Sequence, residues 1–132
     1  MSKLMVLCLS LCLVACNKDK KEEASIVGTW RQVKADMVWT EGGAVRTDGR
    51  VFTDERFFMF NEDRTFKETG GAEVAGTWQR EGKDIVRVTY SQSSFVAYTI
   101  KKLTNDELVL MARSESDNEY DETTYYCNRV HP

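Results

Sequence analysis

The 132 residues include one histidine and four cysteines, which narrows the acid-base, nucleophilic and metal chemistry open to the chain. His131 is the next-to-last residue. A Ser-His-Asp or Cys-His arrangement would therefore rest on a chain end, where order is poorest. Cys127, between Tyr126 and Asn128, has only the chain-end His131 near it in sequence and reads as a buried structural thiol rather than a nucleophile. Glu115, Asp117, Glu119, Asp121 and Glu122 form an oxygen-rich segment that reads as a solvated acidic loop before the last strand. Calcium is the alternative there, although the spacing lacks the glycine that an EF-hand loop requires. Ser91, Ser93 and Ser94 have no base or oxyanion partner and read as turn residues. No acid-base pair or ligand set converges, so the expectation is a protein that is not an enzyme and holds no metal or cofactor.

The other three cysteines lie at the N-terminus, in a different chemical setting. After Lys3, residues 4–14 form an apolar run of about 11 residues, too short to cross a hydrocarbon core of ~30 Å as a helix. It has the form of a signal segment. The run ends in Leu13-Val14-Ala15-Cys16, which resembles the lipobox of bacterial lipoproteins. That resemblance implies cleavage after residue 15, acyl chains of the palmitate type attached through a diacylglyceryl group on Cys16, and a location in the cell envelope. Asn17 in place of Asp after the cysteine implies, by the sorting rule of diderm bacteria, the outer membrane. Two or more acyl chains hold stably, at ~0.8 kcal/mol per buried methylene. The expected organisation is thus a leader over 1–15, the lipidated cysteine with a polar linker over 16–25, and one domain over 26–132. Cys8 and Cys12 would leave with the leader, so Cys127 would have no bridging partner within the chain.

The net charge of −3 becomes about −4 once Lys3 is lost, and basic residues alternate with acids, as in Arg80-Glu81-Gly82-Lys83-Asp84. A nucleic-acid partner is therefore disfavoured, because counterion release needs a clustered basic face.

Aromatics make up 11% of the chain and its one proline is Pro132, a composition that suits a compact fold. From Ile26 onward, short β-branched and aromatic runs are separated by polar turns. The pattern predicts about eight strands, over 26–34, 56–60, 65–69, 73–80, 85–91, 95–103, 107–112 and 123–130. Sequential hairpins of this kind form a meander, and eight strands in meander order can close into an all-β, antiparallel up-and-down barrel without open edges. The long connection over 35–55 reads as an ordered loop or an extra hairpin covering one end. Trp39 within it is a candidate lid residue, with a plain plug as the alternative.

Gly28-Thr29-Trp30 at the start of the first strand matches the G-x-W of lipocalins. Residues 58–66 (Phe58 to Phe66), a second Gly76-Thr77-Trp78, and residues 98–110 (Tyr98 to Leu110) follow in the order seen in bacterial lipocalin-like lipoproteins. The chain resembles that family over 26–130. Arg64 departs from its pattern, standing where the turn usually carries glycine. The resemblance implies that Trp30 closes the barrel bottom and that Arg129 stacks on it, with Gly28 beside them. An eight-stranded barrel can enclose one small ligand, so the first hypothesis is a small apolar or amphipathic molecule in the barrel, with Phe58, Phe60, Trp78, Tyr98 and Ile100 as candidate lining and Trp39 at the mouth. The alternative is a structural envelope lipoprotein with a filled barrel and a protein partner.

Overall fold

The computed structural model describes residues 24–132. The leader, Cys16 and the linker up to residue 23 lie outside the described residues. Nine antiparallel strands form one sheet: β1 (Gly28–Glu41), β2 (Ala44–Val51), β3 (Phe57–Phe60), β4 (Thr65–Thr69), β5 (Val74–Glu81), β6 (Ile85–Ser91), β7 (Ser94–Leu103), β8 (Glu107–Ser116) and β9 (Glu119–Arg129). They lie in the order β2-β1-β3-β4-β5-β6-β7-β8-β9, and β9 returns to pair with β1. Eight strands thereby close into a barrel, and β2 is an extra strand outside it. The expected all-β up-and-down barrel is what the chain forms.

β1 does most to shape the molecule, because its 14 residues serve three neighbours. Its lower half pairs with β3, from Gly28 opposite Phe60 to Arg31 opposite Phe57. Its upper half pairs with β2, from Lys34 opposite Val51 to Glu41 opposite Ala44. Along its other side it pairs with β9, with a bulge between Gln32 and Lys34. Strict alternation from Trp30 would turn positions 34, 36 and 38 inward. The bulge shifts the phase by one residue, so that Ala35, Met37 and Trp39 share the inner face instead.

The long connection is thus a hairpin rather than a loop, turning at Gly42 and Gly43 with φ of 58° and 81°. A difference from the sequence pattern lies at the other end of the chain. The acidic segment over 115–122 is not a loop, because β8 and β9 pair without a break to Ser116 opposite Glu119. They turn through Asp117 and Asn118, both at positive φ (47° and 65°), as a two-residue hairpin of the I′ kind requires.

Inward alternation builds the core. Phe58 and Phe60 of β3, Phe66 of β4, Trp78 of β5, Val86 and Val88 of β6, Tyr98 of β7, Leu108 and Leu110 of β8 and Cys127 of β9 are buried together with Ile26 and Trp30. Each large apolar side chain removed from water contributes roughly 1.5–3 kcal/mol. The rings touch one another: Phe60 lies 5.1 Å from Phe66 and 5.7 Å from Trp78, and Phe58 lies 5.4 Å from Tyr125, measured between ring centres.

Candidate functional site

The two ends of the barrel are built differently. At the lower end, the Trp30 indole N–H donates to the Ile26 carbonyl at 2.8 Å, and the Arg129 guanidinium carbon lies 4.1 Å from the centre of the Trp30 ring. Arg129 also donates to the carbonyls of Ser25, Val27 and Asn105, which ties the start of the domain to the last strand and to the β7–β8 turn. Gly28, at φ 143°, leaves room for this guanidinium. Gly28, Trp30 and Arg129 thus meet at one place. The second Gly-Thr-Trp repeats the device nearby, with the Trp78 indole N–H on the Asn61 carbonyl and Arg64 4.6 Å over the ring. Both tryptophans close the bottom.

Trp39 stands at the other end. Above the last β1–β3 pair, β1 continues with β2, β9 and β8 as a four-stranded flap that extends past the barrel wall. The inner face of the flap borders an open cleft of about 460 Å³, lined by Met37, Trp39, Thr40, Ser114, Ser116, Glu119, Tyr120 and Asp121. The Tyr120 N–H donates to the Thr40 hydroxyl at 2.9 Å and fixes β9 against β1 at the rim. The β7–β8 ladder ends at Thr99 opposite Met111. Above it a second cleft of about 420 Å³ lies among Phe95, Val96, Ala112 and Thr123, and Ser114 and Asp121 line both clefts.

Between core and mouth lies a layer of polar groups. Gln32 is 2% exposed and donates to Glu68 at 3.4 Å. Burial holds the Glu68 carboxyl above the usual glutamate range, opposed in part by that hydrogen bond and by Arg56. Burial also pushes the hydroxyls of Tyr90, Tyr98 and Tyr125 upward, with Glu68 adding to each shift. The Cys127 thiol is pushed up to about 12, first by burial and then by Glu68. At neutral pH it is a protonated thiol and a poor nucleophile.

No family model matches the chain, and no curated protein is detectably similar to it in sequence. Of the candidate lining residues, Phe58, Phe60, Trp78 and Tyr98 lie in the packed core, Ile100 packs against it half-buried, and Trp39 alone borders the mouth cleft. Ser91 and Ser94 face each other across the β6–β7 turn. His131 contacts Asp106 at 3.1 Å. Among the described residues, no three His, Cys, Asp or Glu side chains are grouped to hold a metal ion. Neither Gln32 and Glu68 nor the cleft face of Ser114, Glu119 and Asp121 stood out in the sequence. An alternation count through the acidic segment separates Glu119 and Asp121 from Glu122, but only once that segment is read as a strand.

Proposed function

We propose that this protein is a lipid-anchored binding module of the cell envelope, in which the barrel is a rigid stand and the cleft at its mouth holds a small amphipathic molecule. The cleft beside Trp39 carries the reading. About 460 Å³ is enough for a small ligand, and its walls combine an indole and a thioether with hydroxyls and carboxylates, the mixture that fixes a molecule having both apolar and polar parts. The ligand sits at the mouth rather than deep in the barrel, because the lower interior is filled by Phe58, Phe60, Phe66 and Trp78 packed on one another. Anchoring rests on the Leu13-Val14-Ala15-Cys16 pattern after the apolar leader. Acyl chains on Cys16 would hold the domain at the membrane surface, most simply at the outer membrane, with the polar linker as its tether.

A second reading has its own support. The filled interior suits a structural module, and the extra strand β2 leaves Val45 and Val51 63% and 72% exposed at a free sheet edge, where an envelope protein can dock. Native mass spectrometry of the protein purified from its host's membranes separates the two. The binding module predicts a chain lacking residues 1–15, acylated on Cys16, that releases a small molecule on activation. An acylated chain with no such molecule favours the protein-docking reading, and an intact leader with a bare thiol contradicts both.

A further inference from the structure

The upper β8–β9 hairpin pairs its charges on one face and leaves them unpaired on the other. On the outer face, Arg113 takes both Glu115 at 2.7 Å and Glu122 at 3.0 Å, and lies 4.4 Å over the Tyr120 ring. On the inner face, the carboxylates of Glu119 and Asp121 have no cation or hydrogen-bond donor among the described residues. Arg46, opposite Trp39 in register, is paired with Glu41 at 3.3 Å. The cleft is therefore bordered by an indole, a thioether and two unengaged carboxylates, with no lysine or arginine in its walls.

Resting on the binding reading above, we infer that the cleft takes a cationic amphipath: an organic ammonium or guanidinium compound whose charge sits at Glu119 and Asp121 and whose apolar part lies on Trp39 and Met37. Each wall selects for this class. An indole face attracts a cation as well as apolar surface. Carboxylates form stronger hydrogen bonds with charged N–H donors than with neutral ones. A purely apolar ligand would strip water from both acids without replacing it, and an anion would meet like charge. The net charge of −3 further favours approach of a cation. A tail too long for this cleft continues past Asp121, which also lines the second cleft, toward Val96 and Ala112.

Three probes with the same tail test the inference: hexylammonium, hexanol and hexanesulfonate. Each is titrated into the full chain, ¹⁵N-labelled at tryptophan and held in phosphatidylcholine nanodiscs. Trp39→Phe assigns the Trp39 indole signal. Trp30 and Trp78, whose N–H groups are bonded to Ile26 and Asn61, serve as internal controls. The expected result is that the ammonium probe moves the Trp39 signal at concentrations where the other two do not. Combined Asp121→Asn and Glu119→Gln should then weaken its binding roughly three- to tenfold, as loss of exposed ion pairs does. Equal binding of all three probes, unchanged in the double variant, overturns the cationic class and leaves a binding cleft standing. A Trp39 signal that no probe moves overturns the inference together with the binding reading.

Discussion

A β-carbon on Gly28 would lie 2.6 Å from Nη1 of Arg129, so the guanidinium occupies the space that any other side chain at position 28 would enter. The same guanidinium covers Trp30 and binds three carbonyls from two parts of the chain. The first and last strands of the barrel are thus joined by a group that only glycine accommodates.

Gly28→Ala should cost about 2–4 kcal/mol, from the contact and from a φ of 143° that alanine tolerates badly. Arg129→Ala should cost a similar amount, about 2–4 kcal/mol, through lost charge-assisted hydrogen bonds and the ring contact. Arg129→Lys should recover less than half, since an ammonium cannot reproduce the fork. Urea unfolding checks all three. The distinctive outcome is coupling: Gly28→Ala should be cheaper in the Arg129→Ala background, where the obstructing group is gone.

Arg64 occupies a left-handed backbone position, φ 72°, while its side chain covers Trp78. The two effects oppose one another. Arg64→Gly relieves the backbone and loses the ring contact, so it should be neutral within about 1 kcal/mol. Arg64→Ala loses the contact and keeps the strain, so it should be the less stable of the two variants in thermal or urea unfolding.

Glu68 supplies a pH signature. Its folded pKa lies above 4.5, so below pH 4.5 the carboxyl is neutral in both folded and unfolded chains and costs the fold little. As pH rises through the folded value, the native state must hold a charge in a half-buried site, and stability from this group is lost. The stability of Glu68→Gln relative to the natural chain should therefore increase from about pH 4.5 toward neutrality. Asp54 and Asp63 are held below the usual carboxylate value, by Arg56 and by Thr65 respectively, and act in the opposite direction. They are common to both proteins, so the difference between the two isolates Glu68.

Much of the barrel was legible from residue order because most strands bury one face. In β3, β6 and β8 the inward positions Phe58, Phe60, Val86, Val88, Leu108 and Leu110 are apolar, and polar turns separate them from their neighbours. β2 was legible only as one of two alternatives for the long connection, because neither of its faces is buried, which leaves Ala44–Val51 without alternation. The ends of β8 and β9 were hidden for the same reason: beyond the core, both faces meet water, and the acids there imitate a loop. For the site, Trp39 was legible as a mouth residue, but its face was set by the bulge at Gln32 and Lys34, which no sequence pattern marks. Whether Phe58, Phe60 and Trp78 would line a cavity or fill it turned on how rings from different strands fit together. Such fit is a property of three dimensions.

Cys127 should be inert in the folded protein. A buried thiol with its pKa pushed up to about 12 offers almost no thiolate at pH 8. Alkylation by iodoacetamide, read by mass spectrometry at that position, should be slow in buffer and fast in concentrated urea. Rapid labelling under native conditions would contradict the burial described for β9.

The most direct test of a ligand held at the barrel mouth compares the natural protein with Trp39→Ala, both purified from the host's membranes and weighed by native mass spectrometry. Both are expected to carry the same acyl mass on Cys16, and the natural protein alone to retain a small molecule. Equal retention by both proteins would place the molecule elsewhere, and retention by neither would mean that the mouth holds no ligand.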